Sequence, residues 1–219
     1  MYFSRAKLNR HALRSNQFAD VINEGYGAHK LAWRLFSDHE RRERDFVYRW
    51  KREGGEPVLY VVSDREPAET AAFDIQTKAY DPDVSAGEWF EFSVVVNAVV
   101  KQRDANGRQT RHDVVLKAKR EDTSLSDDQA ALVAGKAWLD AQGSRHGFRV
   151  ESTGFRVNEH TTRRFKKTRG SNEISLSTLD LEGLLECTDV SAFRDALFHG
   201  IGPAKGYGCG LLMIRRVAM

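Results

Sequence analysis

The sequence contains few cysteines: among its 219 residues only Cys187 and Cys209 occur. Two cysteines are too few for a disulfide framework or a zinc ribbon. The histidines, cysteines and carboxylates also lack the spacing that is typical of metal ligands. We therefore expect a protein that depends on no disulfide, binds no metal and carries no cofactor.

The sequence also lacks a long apolar run. No stretch approaches the roughly 20 apolar residues that a helix needs to cross a bilayer. Arg5 and Lys7 near the start are not followed by the apolar segment of a secretory signal. These absences predict a cytoplasmic protein with no membrane partner. The formal net charge is only +3, so any binding of a polyanion must depend on local clusters of cations.

One segment of the sequence has a clear helical period. The spacing i, i+3, i+4, i+7, i+8 of a single helix face is shown by Ala28, Leu31, Ala32, Leu35 and Phe36. The rest of the chain mixes strand-like runs with further helical patterns, and each half has a β-α-β-β order. Such an order suits the split β-α-β unit of ferredoxin-like domains.

This order favours an α+β fold and is compatible with two tandem ferredoxin-like (RRM-like) domains with antiparallel sheets. Residues 81–88 contain Asp, Pro, Ser and Gly close together and predict a linker. The domains would then occupy residues 1–80 and 89–219. In the second domain, residues 114–116 are expected to return as a strand after a tight turn at Asn106-Gly107.

Polar side chains that can perform acid–base chemistry lie opposite the apolar stripe of the first helix. Tyr26 and His29 are neighbours on that face, and Lys30 forms an i, i+4 pair of like charge with Arg34. A histidine can serve as a general acid or base near neutral pH, and a bound phosphate would turn the repulsion between the cations into attraction. Adjacent glycines leave Tyr26 either on the helix or in the loop before it. From these residues alone, a structural or merely exposed histidine is the more common explanation.

A glycine-rich loop near the end of the chain indicates an anion-binding backbone. Five glycines occur at residues 200–210, between a predicted helix and an apolar strand. Dinucleotide-binding and Walker loops follow a strand and open a helix, which is the reverse order, and no Ser or Thr follows Lys205. The loop therefore predicts contact with a polymer backbone through Gly202, Gly206 and Gly208, with Lys205 as the side chain that binds.

A second basic cluster lies at residues 160–170 and contains no acidic residue. It stands between two strand-like stretches, which predicts a basic β-hairpin. The proposed contacts to RNA phosphates are Arg163, Arg164, Lys166, Lys167 and Arg169. A solvated charged loop is the alternative explanation of such a run.

The glycine-rich run at 200–212, GIGPAKGYGCGLL, resembles the C-terminal signature of the CasE family, the CRISPR-RNA processing endoribonucleases of type I-E Cascade complexes. Weaker resemblances to that family occur in the same order at residues 1–4, 26–36 and 92–101. The resemblance implies two ferredoxin-like domains, the first carrying the catalytic helix and the second carrying the hairpin and the glycine-rich loop.

By this resemblance, His29 is the general acid/base and Tyr26 assists it, while Lys30 and Arg34 stabilise the phosphate. The hairpin would hold the stem of the CRISPR repeat. Cleavage would need no metal, would occur at the base of the stem-loop and would leave a 2′,3′-cyclic phosphate and a 5′-OH. The protein would then remain bound as a subunit of Cascade.

Two other functions compete with this interpretation. A non-catalytic subunit of the same architecture would bind RNA without cutting it. A ferredoxin-like enzyme that acts on a small nucleotide is the other alternative, although a small ligand needs no extended basic hairpin.

Overall fold

The computed structural model describes residues 1–9, 12, 25–36, 43–103, 107, 109–166 and 173–217, with the side chains of Gly25 and Tyr26 excepted. Within these ranges the chain forms two antiparallel sheets and a separate two-stranded ribbon. None of the helices described is both long and apolar enough to cross a membrane.

The first sheet has the strand order of a ferredoxin-like unit. Its strands are β1 (Tyr2–Leu8), β2 (Phe46–Glu53), β3 (Glu56–Ser63) and β4 (Phe73–Ala79), and helix α1 (Gly25–Arg34) lies between β1 and β2 in the chain. The strands lie in the order β2-β3-β1-β4, and all neighbours are antiparallel. Residues 64–72 contain no helix, so this unit lacks the second helix of the usual β-α-β-β-α-β arrangement.

The predicted apolar stripe on α1 is buried against this sheet. Leu31 and Ala32 on the helix, and Leu35 and Phe36 in the turn that follows, are fully buried beside the strand residue Leu59. Burial of one helix face against a sheet stabilises both elements, which is why a short helix with two glycines persists here. The opposite face of α1 points toward the surface.

The second sheet repeats the same strand order in complete form. The elements are β5 (Trp89–Val96), α3 (Asp127–His146), β8 (Phe148–Val150), β9 (Arg156–Lys166), β10 (Glu173–Cys187), α4 (Val190–His199) and β11 (Met213–Arg216). The strands lie in the order β11-β5-β10-β8. Strand β9 pairs with residues 173–182 of β10, and β8 pairs with residues 185–187 of the same strand. Polar side chains cap two helices of this unit: Asp189 accepts a hydrogen bond from the backbone N–H of Ala192, and Ser126 forms a capping box with Gln129.

An insertion between β5 and α3 departs from the sequence expectation. It contains the ribbon of β6 (Val99–Arg103) and β7 (Gln109–Asp113), followed directly by helix α2 (Val114–Glu121). The prediction of a strand at residues 114–116 is therefore wrong. Asp113 accepts hydrogen bonds from the backbone N–H groups of Val115 and Leu116, and this N-cap starts a helix where apolar residues alone indicated a strand.

A buried ion pair joins the two sheets. Arg49 on β2 is only 4% exposed and donates to both carboxylate oxygens of Asp180 on β10, each at 2.9 Å, and to Ser93 Oγ on β5 at 2.5 Å. Burial raises the pKa of Asp180, and the adjacent Arg49 opposes that rise. No helix or strand occurs at residues 80–88, and a domain division at the predicted linker stays a prediction.

Candidate active site and RNA-binding surface

His29 lies on the surface-facing side of α1 and contacts the glycine-rich loop. Its Nδ1 is 2.7 Å from the carbonyl oxygen of Gly206, a residue 177 positions later in the chain. A carbonyl oxygen can only accept, so Nδ1 carries the proton and donates it. Nε2 is then the ring nitrogen that can accept a proton in the neutral ring and donate one in the charged ring.

Tyr48 donates to the same carbonyl. Its hydroxyl lies 3.0 Å from the Gly206 oxygen, and the side chain is fully buried on β2. Burial raises the pKa of Tyr48 well above its ordinary value, so the hydroxyl stays protonated and remains a donor. Two donors thus hold one carbonyl, and the imidazole of His29 is oriented by a fixed group.

Sequence reasoning did not find Tyr48. The available signal is a tyrosine inside the apolar run of β2, because a buried tyrosine hydroxyl needs a hydrogen-bond partner. The partner is 158 residues away and cannot be deduced from local pattern.

The glycine-rich loop contains a single turn of 3-10 helix, Lys205–Tyr207, between two residues of left-handed backbone, Ala204 (φ 63°) and Gly208 (φ 82°). Several of its glycines have a packing reason. A Cβ at Gly202 would lie 2.8 Å from the Trp138 ring, and a Cβ at Gly208 would lie 3.3 Å from the Tyr48 ring. The predicted contacts of these two glycines with RNA remain predictions.

Gly206 differs from the other glycines of the loop. The atom nearest to a Cβ there would be His29 Nδ1, at 3.8 Å, which is an ordinary van der Waals distance. Protein packing therefore leaves room for a side chain at this position, directly beside the imidazole. The predicted contact of Gly206 with RNA remains a prediction.

Two cations lie next to the loop. Lys205 is half-buried, and its pKa is lowered chiefly by that burial and secondly by the charge of Arg44, while Asp195 raises it. Arg44 donates to the carbonyl of Phe46 at the start of β2. The sequence predicts Lys205 as an RNA contact. It does not single out Arg44, because the residues that lie near Arg44 in the structure are distant from it in the sequence.

The other predicted residues of α1 have different positions. Tyr26 falls within the helix rather than in a preceding loop, and its side chain lies outside the described residues. Lys30 and Arg34 are exposed on the face that is not buried by the sheet. Their assistance to His29 stays a prediction.

The basic run forms a strand of a long antiparallel pair. Arg163, Arg164 and Lys166 are exposed on β9, which pairs with β10 from Arg156 to Lys166. The expected β-structure is thus confirmed, whereas Lys167 and Arg169 lie outside the described residues. Helix α1 contacts β9, so the basic strand and His29 belong to one region of the surface.

Within the described part of the chain, no group of three or more His, Cys, Asp or Glu residues is arranged to hold a metal ion. Of the other histidines, His11 lies outside the described residues. His199 ends α4 and forms an ion pair with Asp195 of the same helix at 2.9 Å.

Comparison with known proteins identifies the family of this chain. The chain belongs to the CRISPR associated protein family, whose match extends over residues 1–216. The CRISPR system Cascade subunit CasE of Escherichia coli K12 is 28% identical over 192 residues, which are 86% of this chain and 90% of that protein. The CasE-type resemblance of the motifs is thereby confirmed.

Solved structures confirm the fold class. Thermus thermophilus Cse3, bound to an RNA representing a pre-cleavage complex, is 20% identical with a TM-score of 0.70, over 98% of each chain. Cas6e of Escherichia coli K-12 is 21% identical with a TM-score of 0.62, over 99% of this chain and 100% of that chain.

Proposed function

We propose that this protein is an endoribonuclease that cleaves precursor CRISPR RNA within each repeat, at the base of the stem-loop. The observation that carries the proposal is the hydrogen bond from His29 Nδ1 to the Gly206 carbonyl, 2.7 Å long, beside a basic strand. This hydrogen bond fixes the tautomer of neutral His29, with the proton on Nδ1. The nearby cations make the surface suitable for a phosphate backbone. The names of the relatives support the same activity, since two are a Cascade subunit and an RNA-bound Cse3.

The chemistry requires no metal ion in this proposal. Nε2 of neutral His29 removes the proton of the 2′-OH, and the 2′-oxygen attacks the adjacent phosphorus. The bond from phosphorus to the 5′-oxygen breaks, that oxygen takes up a proton from water, and the His29 imidazolium returns its proton to the solvent. The products are a 2′,3′-cyclic phosphate and a 5′-OH.

The surrounding residues stabilise the charges that develop in this reaction. As His29 becomes positively charged, the carbonyl dipole of Gly206 interacts with it more strongly. Lys205, Lys30 and Arg34 are the proposed partners of the phosphoryl oxygens, and Tyr26 assists His29 in positioning or proton transfer. Preorganised donors of this kind act without any rearrangement during the reaction.

The exposed cations of β9 bind the stem of the repeat. Arg164 and Lys166 lie on one face of the strand and flank buried Phe165, and the adjacent Arg163, on the other face, is exposed as well. We further propose that the enzyme stays on its product in the cytoplasm and joins other Cascade subunits. The name of its Escherichia coli relative supports the last point, since it calls that protein a Cascade subunit.

The test is cleavage of labelled repeat RNA from the host in EDTA, by the wild type and by the His29→Ala variant, with binding measured in parallel. We expect one cut by the wild type, a rate about 10²- to 10⁴-fold lower in the variant, and equal binding. His199→Ala is the matched control, because this histidine pairs within its own helix, and it should cut normally.

Equal cutting by the wild type and His29→Ala would remove His29 from the mechanism. Tight binding without cutting by the wild type would favour the non-catalytic RNA-binding subunit. Cutting that requires a divalent cation would overturn the metal-independent reaction.

A further inference from the structure

Two aromatic side chains connect the basic strand to His29. The Tyr207 ring centroid lies 5.5 Å from the His29 ring, with an interplanar angle of 33°, and 5.3 Å from the Phe165 ring. These separations are typical of interacting ring pairs. Three elements distant in sequence, α1, the glycine-rich loop and β9, thus meet in one row of rings.

Phe165 lies on the inner side of the basic strand. It is 7% exposed, whereas its neighbours Arg164 and Lys166 are exposed, as strand alternation requires. Phe165 packs with Leu176 and Cys209 in a small apolar cluster that also includes Tyr207. The inner side of the hairpin therefore rests on the glycine-rich loop.

The outer part of the hairpin receives little support from the sheet. On β10, residues 179–186 pair with β5, whereas Phe165 is paired with Ile174, outside that segment. The contact between Phe165 and Tyr207, in the cluster with Leu176 and Cys209, joins this outer part to the glycine-rich loop. The Tyr207 ring also lies beside the imidazole that donates to the Gly206 carbonyl.

We propose that Phe165 and Tyr207 are positioning residues that hold His29 in register with the RNA bound by the outer hairpin. The inference rests on the proposed function of His29. Neither residue reacts, and nearly buried Phe165 offers no surface to RNA. Loss of either ring should therefore misplace the reacting groups and leave the affinity for RNA intact, because small displacements of reacting atoms slow the chemical step strongly.

The experiment measures the single-turnover cleavage rate with enzyme in excess, and Kd with an RNA that carries 2′-deoxyribose at the cut. Tyr207→Leu and Phe165→Leu should lower the rate by up to about 100-fold without a change in Kd. Tyr207→Phe retains the ring and should restore the wild-type rate. Phe155→Leu is the matched control, because Phe155 is also 7% exposed but belongs to the main core of the second sheet.

A second measurement does not depend on activity. In ¹⁵N NMR spectra without RNA, neutral His29 of the wild type should carry its proton on Nδ1. Tyr207→Leu should shift the ring toward a mixture of both tautomers, and Tyr207→Phe should keep the wild-type pattern. Thermal melts identify any variant that fails to fold.

Equal losses in Tyr207→Phe and Tyr207→Leu would overturn the proposal in favour of a role for the hydroxyl. It would also be overturned if Phe165→Leu weakened binding but left the rate unchanged, or if the tautomer of His29 were the same in all variants. A wild type that cuts no repeat RNA would refute the proposed function, while the NMR arm would still decide whether Tyr207 orients His29.

Discussion

The two ferredoxin-like units share one strand order but differ in what they carry. The first is plain, with a four-stranded sheet and α1, and supplies His29. The second adds a ribbon, helix α2, the long β9–β10 pair and the glycine-rich loop, and supplies the carbonyl that orients that histidine. The candidate site therefore belongs to the contact between the units, and neither unit contains it alone.

Removal of the Arg49–Asp180 ion pair between the two sheets should have the largest effect on stability. Arg49→Met leaves Asp180 half-buried without its cation, and we expect unfolding in urea to show a loss of about 3 kcal/mol. The double variant Arg49→Met/Asp180→Leu should recover most of it, because an apolar pair needs no compensation. The folded-state pKa of Asp180 is raised by burial, so protonation at low pH favours the folded state. The loss in the single variant should therefore shrink as pH falls, and a loss independent of pH would contradict this account.

Alanine substitutions at two glycines of the loop should distinguish a role in packing from a role in RNA binding. Gly208→Ala should cost about 1–2 kcal/mol, because Gly208 has left-handed backbone and its Cβ would also press on Tyr48. Gly206→Ala has ordinary backbone and room for a Cβ, so its melting temperature should match the wild type while RNA binding or cutting weakens. Full activity of Gly206→Ala would show that no ligand approaches the loop at this residue.

The basic strand should control affinity rather than the chemical step. Arg163→Ala/Arg164→Ala should raise Kd and reduce the slope of log Kd against log salt by about one for each phosphate that the variant no longer neutralises. Arg156→Ala is a control on the same strand, because Arg156 already pairs with Glu182 at 3.0 Å. A wild-type Kd in the double variant, together with a lower cleavage rate, would contradict this prediction, because the basic strand would then act on the chemical step and not on RNA affinity.

Lys205 should show the smallest effect, in opposite directions for stability and binding. Its pKa is lowered by burial and by Arg44, so the folded state holds the proton less tightly than the unfolded state. Lys205→Met should therefore melt at a slightly higher temperature at pH 7, and the difference should vanish as pH rises toward 10.5, where both states lose the charge. The same variant should bind RNA more weakly. A lower melting temperature at pH 7 would contradict the sign.

The sequence predicted what local pattern controls. The apolar stripe of α1 is buried as its period required. The strand expected at residues 114–116 failed because the capping carboxylate of Asp113 outweighs the strand preference of Val114 and Val115.

What pattern could not predict depends on contacts between distant segments. Nothing near Tyr48 in the sequence indicates that it shares the Gly206 carbonyl with His29. Likewise, the Trp138 ring explains Gly202 only after folding brings α3 beside the loop. The sequence thus identifies the glycine-rich run as an unusual segment. Only the structure shows that some of its glycines are packed closely against other residues, whereas Gly206 has room for a side chain.

The 177 residues between His29 and Gly206 also have a consequence for timing during synthesis. At about 5–20 residues per second, the ribosome makes the loop roughly 10–35 s after α1. Until then, α1 and its sheet can fold, but His29 lacks the carbonyl that fixes its proton on Nδ1. A partly synthesised chain therefore carries the histidine without its orienting partner, and the hydrogen bond to Gly206 forms only after the second unit has been made.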